Sequence, residues 1–146
     1  MDRETLLKGV YLFRDATKDD LACLAEIATS RTYLQGEYIF NEGDEADAMF
    51  VVEMATVDIV LAGKELPIVT IGSGQSFGEM AFFSRGKRPA CARAREKSSI
   101  LRLPFDRLEP LFASRPNLAI TFYRNGCAYL AGHVRTLLTD LDRRYF

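Results

Sequence analysis

The chain has 146 residues, 48% of them hydrophobic and 27% charged, with a net charge of −1. That is enough apolar material for one globular domain with its own core, and too little net charge to draw the chain to nucleic acid or an anionic membrane. No run of eighteen apolar residues occurs, so no transmembrane helix is expected, and the charged start MDRETLLKGVYLF does not read as a secretory signal.

Residues 4–30 read as a helical segment. Thr17-Lys18-Asp19-Asp20 has the Thr-x-x-acid form of a capping box, and Leu21, Leu24, Ala25 and Ala28 recur behind it at helical spacing. From 31 to 103 the period shortens. Apolar runs at Tyr38–Phe40, Met49–Val52, Thr56–Leu61, Pro67–Ile71, Ala90–Ala94 and Ser99–Leu103 alternate with turns such as Asn41-Glu42-Gly43-Asp44 and Gly72-Ser73-Gly74. Many short strands with no long helix between them point to an antiparallel sandwich or barrel.

Helix returns over 105–146. Asp106–Ala113 is a short candidate, and Pro116 suits the first position of a longer one. Within the longer helix Tyr123, Cys127, Leu130, Val134, Leu137 and Leu141 are spaced as a heptad seam, with Val134 at an a position and Leu130 and Leu137 at d. That choice favours parallel two-stranded pairing, so a homodimer through the 117–141 helix is expected. The alternative is that the same stripe packs on the chain's own β-domain. Gly126 and Gly132 each weaken this helix by roughly 1 kcal/mol.

Cys23, Cys91 and Cys127 are odd in number and widely spaced, with His133 the single histidine. The expectation is three free thiols in a reducing cytoplasm and no metal site.

Chemistry concentrates in FGEMAFFSRGKRPACARA, residues 77–94, where Glu79 and Arg88 stand among small and apolar neighbours. A helical turn beginning near Gly78 leaves N–H groups free, and an arginine on the returning strand can clamp a phosphate bidentately. A carboxylate is wrong for phosphate and right for sugar hydroxyls. Two readings stay open on these grounds: a nucleotide pocket, or a plain Glu79–Arg88 ion pair.

Residues 36–103 resemble the cyclic nucleotide-binding domain family, to which the catabolite activator protein and protein kinase A regulatory subunits belong. Phe77-Gly78-Glu79-Met80-Ala81 resembles the opening of its phosphate-binding cassette, here residues 77–91, and Arg88 stands at the cassette arginine. Gly36-Glu37-Tyr38-Ile39-Phe40 with Glu42-Gly43-Asp44 resembles its early strand and turn, and the helical segment from Leu7 onward its N-terminal helices. The resemblance implies one domain over 1–146: an eight-stranded antiparallel jelly-roll with N-terminal helices and a long C-terminal helix. It implies that Glu79 and the Gly78 backbone hold a ribose hydroxyl, and that Arg88 and the Ala81 amide hold a cyclic phosphate. Met80, Pro89, Ala90 and Cys91 line the cassette, and Ile59 and Ile68 form an apolar wall by the base. A C-terminal helix residue, Tyr129 or Arg135, caps the base.

Two departures stand out. Where the family has a small residue whose N–H meets the phosphate, this chain has Pro89, which has no N–H. The hydroxyl linked to cyclic GMP preference is missing there too, so cyclic AMP is the favoured ligand. Ala55 occupies a turn position that is usually glycine, so that turn avoids positive φ or bears strain.

The expected role is a sensor or regulatory module, with no enzymatic activity and with an effector protein as a further partner. The alternative is a family member that has lost nucleotide binding and serves as an interaction scaffold. Gly74-Gln75-Ser76-Phe77-Gly78 also fits a nucleophile elbow, with Ser76 as nucleophile and His133 downstream, but that motif needs an α/β sheet. The basic run Arg85, Lys87, Arg88, Arg93, Arg95, Lys97 and Arg102 reads as a solvated face. With no recognition-helix unit after the long helix, direct DNA binding is not expected.

Overall fold

The computed structural model describes residues 2–145. The chain runs α1 (Arg3–Lys8), a 3-10 turn (Tyr11–Phe13), α2 (Lys18–Ile27), then β1 (Thr29–Tyr33), β2 (Tyr38–Phe40), β3 (Ala48–Met54), β4 (Thr56–Val60), β5 (Val69–Gly72) and β6 (Ser76–Phe77). Then come α3 (Met80–Ser84), β7 (Cys91–Ala94), β8 (Ser98–Pro104), α4 (Phe105–Ser114) and α5 (Pro116–Tyr145). The strands form two antiparallel four-stranded sheets, ordered β1-β8-β3-β6 and β2-β7-β4-β5. This is the jelly-roll the sequence implies, flanked by helices.

β3 explains why the layers sit where they do. Its first five residues, Ala48 to Val52, are all buried, because both faces of its sheet are covered. Met49 and Val51 turn outward to join Leu7, Leu24, Leu101, Leu103, Leu108 and Phe122 beneath the helices. Phe50 and Val52 turn inward with Val57, Phe77, Ala92 and Ile100 to fill the roll.

The helical segment is shorter than the sequence reading put it. Thr29 and Ser30 belong to β1, paired with Arg102 and Leu101 of β8. β1 is exposed along four of its five residues, so it carries no apolar alternation to reveal it. β6 is also absent from the sequence reading, being only two residues long. Thr17 and Asp20 do form the capping box of α2. Ala55 takes φ +73, so its turn bears the strain instead of avoiding it.

α5 spans ~45 Å at 1.5 Å per residue. Its first third is anchored: Leu118 and Phe122 are in the core, and the Asn125 Nδ2 donates to the Leu12 and Arg14 carbonyls at 3.1 and 2.8 Å. Gly126 has a packing reason. A Cβ there would meet the Phe83 ring at 2.6 Å, so the α3 phenyl rests directly on the α5 backbone. Beyond it, Val134, Leu137 and Leu141 are exposed, so the distal seam does not pack on the β-domain.

Candidate functional site

The site is built around the turn that leaves β6. Gly78 takes φ +79, and a Cβ on it would lie 2.9 Å from Arg88 Nη1, 3.3 Å from Phe50 and 3.4 Å from Phe40. Backbone angle and lack of room both require glycine there. Glu79 is the N-cap residue of α3, and the first helical bond runs from the Phe82 N–H to the Glu79 carbonyl at 3.0 Å. The Met80 and Ala81 N–H groups precede it and have no partner within the helix. Ala81 is buried and Met80 is half exposed.

Arg88 is not on the returning strand, which begins only at Cys91. It sits in the loop before it, because its own backbone is committed elsewhere: its N–H donates to the Asp44 carbonyl and its carbonyl accepts from the Gly43 N–H, both at 2.9 Å. The Asn41–Asp44 turn thus holds the arginine from outside. Pro89 is exposed, while Ala90 and Cys91 are buried, and the Cys91 Sγ accepts from the Glu42 N–H at 3.3 Å.

The Arg88 side chain is 3% exposed and points inward. Its Nη1 donates to the Gly78 carbonyl at 2.8 Å and its Nη2 to the Ala48 carbonyl at 2.5 Å. The guanidinium carbon lies 4.1 Å from the Phe40 ring centre and 5.7 Å from that of Phe50. Its Nε is buried with no hydrogen-bond partner. Glu79, 7% exposed, likewise has a buried, unpartnered Oε2. The two groups are more than 4.0 Å apart, so the plain ion pair is not formed. Burial pushes the Glu79 carboxyl up against the weaker pull of Arg88 and His133, and burial lowers the Arg88 guanidinium.

The remaining candidates divide. Ile59 is half-buried against the roll interior, but Ile68 lies one residue before β5 and is 62% exposed. A strand-end position with only its backbone engaged, through the Ile59 carbonyl, leaves that side chain in solvent rather than in a buried wall. Tyr129 packs between Tyr11 and His133 with its ring tilted to both, ring centres at 5.6 and 4.3 Å. Burial, and more weakly the Glu79 charge, raise its phenol. Arg135 is exposed farther along the helix. Ser76 faces Val51 across an antiparallel ladder, so the strand-to-helix elbow in a parallel sheet is not built. In the basic run Arg88 is buried, against the expectation of a solvated face. Arg85, Arg95 and Arg102 pair with Glu109, Asp58 and Asp47.

Sequence reasoning missed Phe40 as a partner of Arg88, and Asn125 and Phe83 as anchors of α5. Only Gly126 left a trace, as a helix glycine whose cost wants a packing reason.

The model of the cyclic nucleotide-binding domain matches residues 30–115. Among solved structures, the chain is similar to the N-terminal domain of a transcriptional regulator from Streptomyces coelicolor A3(2), at 26% identity and TM-score 0.79, covering 88% of this chain and 94% of that one. It is similar to the catabolite activator protein of Thermus thermophilus at 28% identity and TM-score 0.76, covering 90% of this chain and 62% of that one. The regulatory domain of Toxoplasma gondii PKA, solved with cAMP, shares the fold at 20% identity and TM-score 0.70, over 75% of this chain and 43% of that one. No curated protein matches. No described helix is long and apolar enough to cross a membrane.

Proposed function

Because the chain belongs to the cyclic nucleotide-binding domain family, we propose that it is a regulatory module whose ligand, a cyclic nucleotide, sits between Glu79 and Arg88. One observation carries this reading: two buried, unpartnered polar atoms, Glu79 Oε2 and Arg88 Nε, on either side of Gly78. Leaving such atoms unpaired costs ~1–3 kcal/mol each, more when the group is charged. A ribose hydroxyl answers the first and a phosphate oxygen the second.

The donor count fits. A guanidinium has five N–H donors, and two are used on the Gly78 and Ala48 carbonyls. The Nε–H and the neighbouring Nη–H that remain form an edge suited to two phosphate oxygens. Tyr129, held against Tyr11 and His133, is the better candidate than the more distal Arg135 to cover the base, so ligand binding would draw on α5 and change how its distal half is presented. The exposed Val134, Leu137 and Leu141 supply a seam for a homodimer. Cyclic AMP is preferred because position 89 has no hydroxyl. Ser76 has no catalytic part in this reading.

A second reading rests on Pro89, which withholds one phosphate donor, and on Arg88, already bonded to two carbonyls: a scaffold without ligand. Thermal unfolding with cyclic AMP and with cyclic GMP separates the two. Ligand at a hundred times its dissociation constant stabilises by about 2.7 kcal/mol. A larger shift with cyclic AMP is expected. No shift with either at millimolar concentration sinks the sensor and leaves the scaffold.

A further inference from the structure

The Arg88 guanidinium is a buried cation with no carboxylate within 4.0 Å. Two neutral carbonyls cannot account for its placement, since they leave the buried Nε without a protein partner. What lies against the cation is an aromatic shelf. Phe50 stacks on Phe77 and Phe40 is tilted against both, with ring centres 5.2 to 6.1 Å apart, and the centre of the Phe40 ring is 4.1 Å from the guanidinium carbon. An aromatic face attracts a cation through its quadrupole, most strongly where water is excluded.

We propose that Phe40 is the positioning residue for Arg88: its ring face bears the guanidinium and so sets the affinity of the site for an anion. The inference rests on the reading of Arg88 as the phosphate-binding group. It goes beyond that reading in naming the group that stands in for a counter-ion while no phosphate is bound. The geometry explains how the cation stays buried with its Nε edge free. The ring lies against the guanidinium carbon and the two carbonyls take one N–H from each Nη, so an anion meeting the Nε–H displaces neither carbonyl. It also makes lysine a poor substitute, because an ammonium has no plane to lay on the ring.

The test alters the electrostatics of the ring and not its place in the core. In the full chain, 3,4,5-trifluorophenylalanine is installed at position 40 alone, in the parent and in Arg88→Met, with Phe40→Leu alongside. Two quantities are read: the denaturant midpoint without ligand, and the dissociation constant for cyclic AMP and for inorganic phosphate. Fluorination is expected to lower the midpoint in the parent and not in Arg88→Met. It is also expected to weaken anion binding about tenfold, as the loss of a buried cation–π contact implies. Equal midpoint losses in both backgrounds mean that the ring is only core packing, and overturn the proposal. So does unchanged anion affinity in the fluorinated parent. Coupling between positions 40 and 88 in a parent that binds phosphate but no cyclic nucleotide would uphold the shelf and overturn the nucleotide reading. Tight cyclic AMP binding without that coupling would do the reverse.

Discussion

Of the three buried acids among the described residues, Asp20, Asp58 and Glu79, the first and the last each have an arginine for a neighbour and behave in opposite ways. Asp20, 7% exposed, is fully engaged: its carboxylate accepts the Thr17 N–H at 3.0 Å and the Arg115 Nη1 at 2.9 Å. Burial pushes its carboxyl up, but Thr17 and Arg115 outweigh that and hold it below the usual aspartate value. Glu79 is equally buried, yet Arg88 turns away from it toward two carbonyls, and its carboxyl is pushed up. The first neighbourhood is complete and ties α2 to the junction of α4 and α5. The second is charged, buried and unfinished. A fold tolerates that arrangement at a cost, which a ligand supplying the missing partners would recover.

Removing Arg88 breaks the contrast most severely. Arg88→Ala takes away the charged edge on which the phosphate depends, so cyclic AMP affinity should fall by at least a hundredfold, about 2.7 kcal/mol. The fold should persist at a lower midpoint, because the apolar core side chains are untouched while the Gly78 and Ala48 carbonyls lose their donor. Calorimetric titration reads the first effect and circular dichroism the second. A variant that still binds within threefold of the parent would mean that the unfinished neighbourhood is not the ligand site.

Pro89→Ala sharpens the contrast instead. It restores an N–H beside Arg88, and a hydrogen bond to a charged group contributes ~1.5–3 kcal/mol, so binding should tighten ten- to a hundredfold. The same change frees the unfolded chain and should lower stability by about 0.4–1 kcal/mol. Tighter binding with a lower midpoint is a pairing that general stabilisation cannot produce. Unchanged affinity would show that the position 89 amide does not face the ligand.

These contrasts mark what could be read from residues alone. The cassette, the capping box, the long C-terminal helix and most strands were legible because each is a local pattern: a turn glycine, a Thr-x-x-Asp spacing, an apolar run. β1 was not, since four exposed residues of five leave no alternation and only pairing with β8 makes them a strand. Glu79 and Arg88 were legible as types in a motif, but not as an unformed ion pair. Arg88 is turned aside by the Ala48 carbonyl, forty residues earlier, and by the Phe40 ring. Asn125 on the Leu12 and Arg14 carbonyls, and Phe83 on Gly126, were hidden for the same reason. Contacts across that much chain leave no periodicity.

The smallest effect is a pair of slopes. Asp20 has its carboxyl lowered by folding, so its ionisation favours the native state. That stability is present above the ordinary value of 3.8 and is lost as pH falls through the lowered one. Glu79 has its carboxyl raised, so the folded chain holds this proton more tightly than the unfolded chain does. Its contribution is present below the ordinary value of 4.5 and is lost as pH rises through the raised value. Glu79→Gln keeps the shape without the charge. The variant should therefore gain stability over the parent as pH rises above 4.5, while binding cyclic AMP more weakly for want of a carboxylate to accept the ribose hydroxyl. Asp20→Asn should lose ground to the parent as pH rises toward 3.8 and keep a constant deficit above it, with ligand affinity unmoved. Denaturant titrations from about pH 2 to 8 read both slopes. If the two variants diverge from the parent in the same direction, the two acids are not opposite in kind, and Glu79 already has a partner in solution.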